Sequence, residues 1–172
     1  MESPEKVFII NPSEMTASKK KKILYIDMDN VLVDFQSGID QLNLTTKIKY
    51  IGRYDEVPGI FAKMLPLKDA IESYNALSEH FDTFILSTSP WENATAASDK
   101  LKWVKTYLGS KARKRLILTH RKDLNIGDFL VDDRTKNGAG EFMGELIQFG
   151  TGSFPDWATV KKYLMDKNQN LE

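Results

Sequence analysis

The sequence predicts an α/β fold in which helices cover a parallel β-sheet. Two observations lead to this prediction. Short apolar runs, typical of strands buried on both faces, alternate with longer segments of helical periodicity. The composition is also that of a globular protein, since 41% of the 172 residues are hydrophobic and 28% are charged. We therefore expect one domain with a sizeable core and room for a small insertion.

Five apolar runs are the predicted strands, and they cover residues 23–26, 83–86, 116–118, 129–131 and 146–149. Three segments have the spacing of helices with one apolar face: residues 69–81, residues 93–108, and a last helix that Pro155 opens. Because strands alternate with helices, we expect a Rossmann-like three-layer α/β/α domain with a parallel sheet.

One stretch does not follow this alternation. About fifty residues separate the first two predicted strands, more than a crossover helix needs. The surplus, residues 37–67, contains glycines, prolines and aromatic residues, and we interpret it as a small, mainly helical cap inserted after the first strand. Such a cap lies above the carboxyl ends of the strands, where open α/β sheets bind ligands. The predicted organisation is a core of residues 23–36 and 68–172, a cap, and a polar, partly disordered lead-in over residues 1–22.

Composition excludes several classes of function. Lysine plus arginine and aspartate plus glutamate both number 24, so nothing global favours binding to a nucleic acid polymer. The absence of cysteine excludes disulfides, thiolate nucleophiles and cysteine-ligated zinc, and two histidines make a histidine-rich metal site improbable. No apolar run is long enough to span a bilayer, and acidic residues near the N-terminus argue against a signal peptide. We expect a cytoplasmic protein, a monomer or homodimer, without a membrane partner.

Two carboxylates close the first predicted strand, at Asp27 and Asp29. Side chains two residues apart in extended chain point the same way, so these carboxylates repel each other and need a cation or a shared proton. A hard divalent cation such as Mg²⁺ meets that need. Taken alone, Asp-x-Asp is more often a solvated turn than a site.

Polar residues at other predicted strand ends make a functional site the better interpretation of this acidic pair. Thr88 and Ser89 follow the second strand, where a hydroxyl can donate to a phosphoryl oxygen or, alternatively, form a helix cap or turn. Lys100 follows on the next helix and is either a phosphate ligand or an ordinary surface lysine. The run at 129–131 ends on Asp132 and Asp133, and burying two adjacent carboxylates is costly without a partner.

In this order, Asp27-x-Asp29, Thr88, Lys100 and Asp132-Asp133 resemble the four motifs of the haloacid dehalogenase-like (HAD) phosphatases. The finer pattern is similar to one branch, the 5'(3')-deoxyribonucleotidases. The stretches that carry this likeness are residues 27–35, 65–70, 88–90, 100–109 and 127–134, with Phe154-Pro-Asp-Trp157 beyond them. Lys122 also lies near a strand end, but the helical pattern around Trp103-Val104 favours Lys100 as the motif lysine.

The resemblance implies a mechanism. Asp27 attacks phosphorus and forms an aspartyl-phosphate, while Asp29 serves first as general acid and then as general base. Mg²⁺ is held by the Asp27 carboxylate, the Asp29 main-chain carbonyl and the Asp133 carboxylate, with Asp132 assisting.

Thr88, Ser89 and Lys100 would stabilise charge on the transferring phosphoryl group. One departure is Asn30, which stands where family members commonly carry glycine. Asparagine tolerates left-handed backbone better than most residues, so we expect the turn to be kept.

The implied substrate is a nucleoside monophosphate, with Phe35, Tyr54 and Phe61 as candidates to stack on its base. The alternative for Phe61 is a place in the core of the cap, and Trp91 is a candidate pocket wall. A rival function is hydrolysis of another small phosphate ester such as a phosphosugar. A rival of another class is a receiver-type signalling domain, but its acidic pair lies at the first strand and its phosphoacceptor on a middle one, and it has no cap.

Overall fold

The computed structural model of the protein describes residues 20–169. Its strands are β1 (Ile23–Ile26), β2 (Val33–Asp34), β3 (Leu65–Pro66), β4 (Asp82–Ser87), β5 (Leu116–Leu118), β6 (Phe129–Asp132) and β7 (Glu145–Gln148). Strands β1, β4, β5, β6 and β7 form one parallel sheet in the order β5-β4-β1-β6-β7, and β2 pairs with β3 antiparallel. The parallel sheet and its five predicted strands are confirmed, with each strand end within one residue of its expected position.

The helices are α1 (Phe35–Asp40), α2 (Leu44–Lys49), α3 (Ala70–His80), α4 (Ala96–Tyr107) and α5 (Trp157–Gln169). Short 3-10 turns cover Tyr54–Glu56, Ile60–Ala62, Gly109–Ala112 and Lys122–Leu124. The three predicted core helices are present as α3, α4 and α5. Helix α4 begins three residues later than expected because the Asn93 side chain accepts hydrogen bonds from Thr95 and holds a turn before the helix.

Strand β1 lies at the centre of the sheet, and its register determines which side chains meet at the carboxyl edge. Ile26 is opposite Ile85 of β4 and Val131 of β6. The next residue, Asp27, continues the ladder by donating its main-chain N–H to the Val131 carbonyl at 2.9 Å. The chain therefore leaves β1 at the point where the strand order changes direction, which is where open α/β sheets bind ligands.

The two faces of the sheet are covered differently. Leu24 and Ile26 of β1 contribute to the larger core, which also takes the buried side chains of α3, α4 and α5. The opposite face, which includes Tyr25 and Leu130, packs against Ala139 and Phe142. Within residues 20–169 that second face is thus covered by irregular chain, whereas the α-helices of the core all pack on the first.

Residues 37–67, the cap, contain most of α1, all of α2 and two 3-10 turns. Strand β2, just before this insertion, pairs with β3 near its end, and the Trp103 indole N–H of α4 donates to the Met64 carbonyl at 2.9 Å. The division into core and cap stays a prediction. Residues 1–19 and 170–172 lie outside the described part of the chain, and with them most of the expected lead-in.

No helix within residues 20–169 has both the length and the apolar character needed to cross a membrane.

We expect Trp157→Phe to lower the free energy of unfolding by about 1–3 kcal/mol. Trp157 is buried, and its indole N–H donates to the Val31 carbonyl at 2.8 Å, so phenylalanine leaves that carbonyl unpaired. Urea unfolding followed by circular dichroism measures the change. The matched control is Trp91→Phe, because Trp91 is 86% exposed and should shift stability by less than about 0.5 kcal/mol. Equal losses of unfolding free energy in both variants would contradict a stabilising role for the Trp157 hydrogen bond.

Candidate active site

Four carboxylates gather at the carboxyl edge of the sheet, from Asp27, Asp29, Asp132 and Asp133. One oxygen from each of Asp27, Asp132 and Asp133 lies within 4.8 Å of the other two. The Oδ1 atoms of Asp27, Asp29 and Asp133 are buried and accept no well-aligned hydrogen bond from the described residues, although Lys122 Nζ lies 3.0 Å from Asp27 Oδ1 and Arg134 Nε lies 3.4 Å from Asp133 Oδ1. Buried carboxylate oxygens without donors are unstable unless a cation or proton joins them, so this arrangement fits a hard divalent ion.

A buried lysine offsets the negative charge of two carboxylates of this acidic cluster. The Lys122 Nζ donates to Asp132 Oδ2 and lies 3.0 Å from Asp27 Oδ1. Burial lowers the pKa of Lys122, but the charges of Asp27 and Asp132 outweigh that effect and hold the pKa above its usual value. Burial, together with the neighbouring Asp27, raises the pKa of Asp132 to about 6 despite this ion pair.

A second buried lysine holds Asp29. The Lys100 Nζ donates to Asp29 Oδ2 at 2.8 Å and to Ser87 Oγ at 2.9 Å, and it lies 4.5 Å from the centre of the Phe61 ring. Burial raises the pKa of Asp29, while the charge of Lys100 opposes that rise. Asp29 therefore has one oxygen fixed by the lysine and one without a donor.

The contacts favour the other candidate for the motif lysine. Both lysines are buried, but Lys100, which was preferred from the sequence, contacts Asp29 and not Asp27. Lys122 is the lysine beside Asp27, because the 3-10 turn that it begins passes over the strand ends and is anchored by the bond from the Lys122 N–H to the Asn137 carbonyl. Its position shortly after β5 was the available signal.

The turn after β1 gives the acidic pair its geometry. The N–H groups of residues 31–33 all point to the Met28 carbonyl, at 2.8–3.1 Å, which folds the chain back within one turn. Asn30 has φ = 57°, so the expected left-handed backbone is confirmed. Its side-chain amide reaches towards Asp133 Oδ2, at 3.4 Å.

The loop after β4 carries the predicted phosphate ligands. Thr88 lines the main cavity, but its hydroxyl donates to the Thr119 carbonyl at 2.9 Å. Ser89 is half-buried and does not line that cavity. The main-chain N–H groups of Thr88 and Ser89 have no acceptor among residues 20–169. A role in phosphate binding stays a prediction for both residues.

A cavity of about 600 Å³ opens beside Asp29 between the strand ends and the cap. This is within the usual range for small-molecule sites. Two of the three predicted substrate contacts, Phe35 and Tyr54, line it. Phe61 does not: its side chain is 1% exposed and packs edge-on against Phe35, with ring centres 6.0 Å apart. Of the two places that the sequence left open for Phe61, the structure shows the one in the core.

Other lining residues come from the loops that follow the strands. Trp91, which the sequence suggested as a pocket wall, lies 6.3 Å from the His120 ring, and both line the cavity. The sequence did not single out His120 or Asn137, since neither belongs to a motif. Their positions in loops after β5 and β6 were the only signal available.

Comparison with known proteins gives relatives along most of the chain. A protein of Vibrio phage KVP40 named as a 5'(3')-deoxyribonucleotidase is 62% identical over 87% of this chain and 88% of its own. The human cytosolic-type 5'(3')-deoxyribonucleotidase is 25% identical over 63% of this chain and 69% of its own. The solved HAD-hydrolase YfnB from Bacillus subtilis superposes with a TM-score of 0.53 at 13% identity, over 80% of this chain and 90% of that one. That likeness shows a shared fold.

The model of one protein family matches residues 36–154, more than half of the chain. The matched region includes the cap, the loop after β4, Lys122 and the Asp132-Asp133 pair. Together with the close phage relative, this match establishes that the chain belongs to the family described as 5' nucleotidase, deoxy (pyrimidine), cytosolic type C protein.

Proposed function

We propose that this protein is a Mg²⁺-dependent 5'(3')-deoxyribonucleotidase that hydrolyses (deoxy)nucleoside monophosphates through a phosphorylated Asp27. The observation that carries the proposal is the gathering of Asp27, Asp132 and Asp133 within 4.8 Å, with Asp29 at the mouth of a cavity of about 600 Å³. The names of the phage and human relatives support the substrate class.

The donor set supports Mg²⁺ at the acidic cluster. The Asp27 and Asp133 carboxylates would hold the ion together with the Asp29 main-chain carbonyl, since all are oxygen ligands. Asp132 is less free, because Oδ2 accepts from Lys122 and Oδ1 accepts from the Arg134 N–H at 3.0 Å. Asp133 Oδ1 accepts no hydrogen bond from the described residues, which favours Asp133 as the direct ligand. When bound, Mg²⁺ supplies positive charge to the phosphoryl oxygens.

Asp27 is the nucleophile in this mechanism. One of its carboxylate oxygens forms a bond to phosphorus as the bond between phosphorus and the sugar oxygen breaks, and the product is an aspartyl-phosphate. Water then attacks phosphorus, which releases inorganic phosphate and restores the carboxylate. Lys122, beside Asp27 and held charged by its two carboxylate neighbours, lowers the repulsion between the carboxylate and the anionic substrate.

Asp29 is the proton donor and acceptor. Burial raises the pKa of its carboxyl group, so the group more readily holds the proton that the leaving sugar oxygen needs. After that transfer the carboxylate can take a proton from the attacking water. Lys100 fixes one oxygen of Asp29 at 2.8 Å, and the other accepts no hydrogen bond from the described residues, so it is available for proton transfer.

The nucleoside end of the substrate would occupy the cavity. Phe35 and Tyr54 on the cap side and Trp91 on the core side offer aromatic surfaces on which a base can stack. Small-molecule binding of this kind involves no nucleic acid polymer and no membrane. The expected monomer or homodimer, and the expected cytoplasmic location, stay predictions.

Purified protein with Mg²⁺ should hydrolyse dUMP and dTMP with kcat/KM at least about tenfold above that for sugar phosphates, because only nucleotides reach the aromatic walls. Phosphate release measures this. Asp27→Asn should lower turnover of every substrate by about 10³-fold or more, whereas Asp166→Asn on the exposed side of α5 should not. Higher kcat/KM for sugar phosphates would refute the nucleotide assignment, and full activity of Asp27→Asn would refute the mechanism.

Mg²⁺ should raise the melting temperature of the protein, because the ion neutralises carboxylates that otherwise repel one another. At a hundred times its dissociation constant, the stabilisation is about 2.7 kcal/mol. Differential scanning fluorimetry with Mg²⁺ and with EDTA measures it. Asp133→Asn should remove most of the shift, and Asp156→Asn, which is exposed, should keep it. A Mg²⁺ shift unchanged in Asp133→Asn would exclude Asp133 as a ligand.

A further inference from the structure

Asn93 joins the core to the cap with its side chain. It lies in the loop between β4 and α4, and it is 3% exposed. Its Nδ2 donates to two cap carbonyls, of Asp55 at 2.8 Å and of Val57 at 3.0 Å. Its Oδ1 accepts from the N–H and the hydroxyl of Thr95, both at 3.0 Å. Every polar atom of this buried side chain therefore has a partner, and its two donated bonds cross to the cap.

A second hydrogen bond reinforces this junction. The Gly59 N–H of the cap donates to Thr95 Oγ1 at 2.8 Å. Thr95 is thus an acceptor for the cap and a donor to Asn93, and the two residues form one connected network. Buried networks in which every member is satisfied hold a single geometry. We call these contacts the cap latch: Asn93, Thr95 and the three cap groups of Asp55, Val57 and Gly59.

The cap latch lies between two walls of the same cavity. On the cap side, Tyr54 and Asp55 line the cavity, and the Asp55 carbonyl is itself one of the two that Asn93 holds. On the core side, Thr88 and Trp91 line it within five residues of Asn93. Two short segments that face each other across the cavity are therefore fixed to each other through one amide side chain. The four carboxylates lie at the ends of β1 and β6, and none of them bonds to the cap latch.

We propose that Asn93, assisted by Thr95, is a positioning residue that sets the width of the cavity and thereby selects substrates with a nucleoside-sized leaving group. This inference rests on the proposed nucleotidase function and adds to it the residue that determines selectivity. A leaving group that fills the cavity needs both walls at a fixed separation. A very small leaving group needs only the sheet edge. Loosening the latch therefore penalises nucleotides and spares small acyl phosphates.

Asn93→Asp is the sharpest test, because aspartate keeps the shape and the acceptor for Thr95 but loses both donated bonds to the cap. We expect KM for dUMP to rise about tenfold with kcat within about twofold, the pattern of binding lost equally from the ground state and the transition state. KM for acetyl phosphate should stay within about twofold of wild type. Asn43→Asp is the matched control: Asn43 caps α2 within the cap, away from the cavity, and should change neither value.

Two further variants keep the test decisive if Asn93→Asp folds poorly. Thr95→Val removes the acceptor for the Gly59 N–H at nearly constant volume and should raise KM for dUMP in the same direction. Thr95→Ser keeps the hydroxyl and should restore the wild-type KM. Amide hydrogen exchange of residues 54–59 should accelerate in Asn93→Asp and Thr95→Val, while exchange of α2 stays unchanged.

The outcomes separate the inference from the function on which it rests. Wild-type protein that hydrolyses acetyl phosphate but no nucleoside monophosphate overturns the nucleotidase function itself. Wild-type turnover of dUMP with an unchanged KM in Asn93→Asp overturns the cap latch alone. An equal rise of KM for both substrates also overturns it, because that result marks a general structural role.

Discussion

Mutual repulsion of carboxylates at one edge of the sheet is the constraint on which the rest of the structure depends. The four carboxylates are those of Asp27, Asp29, Asp132 and Asp133. Burying like charges is costly, and the fold compensates with two buried lysines on separate sides. Lys122 neutralises the Asp27–Asp132 side, and Lys100 neutralises Asp29. Asp133 Oδ1 lies 3.4 Å from Arg134 Nε but accepts no hydrogen bond from residues 20–169, so it fits the divalent cation proposed for this site.

The residues proposed for the chemical steps and those proposed for substrate selectivity lie on different parts of the fold. The proposed nucleophile and proton donor, Asp27 and Asp29, lie just after β1, the central strand of the sheet. The walls that would meet a nucleoside come from the cap and from the loop after β4, which the sheet does not fix. Their separation needs a contact of its own, and Asn93 provides it with bonds to Asp55 and Val57. A change of substrate can therefore arise in the cap without altering the acids.

The sequence predicted what short-range rules determine. Apolar runs in the sequence identify the buried strands and therefore the residues at their ends. Asp27 and Asp133 could be placed at strand ends in this way before the structure was known. Asn30 adopted the expected left-handed backbone. The lysine could not be chosen, because Lys122 reaches Asp27 only through a turn whose path depends on tertiary contacts. The sequence left Phe61 open between pocket and core for the same reason, because only tertiary packing determines which of the two an aromatic side chain joins.

The central claim is that Asp27 itself carries the phosphoryl group. Borohydride reduction of protein quenched during turnover of dUMP converts an aspartyl-phosphate to homoserine, and peptide mass spectrometry locates it. With acetyl phosphate, whose acetate leaving group needs no general acid, the Asp29→Asn variant should accumulate the intermediate, because it lacks the base that activates water. We predict homoserine at position 27 and at no other aspartate. Turnover without homoserine at 27, or with homoserine at another aspartate, would contradict the account.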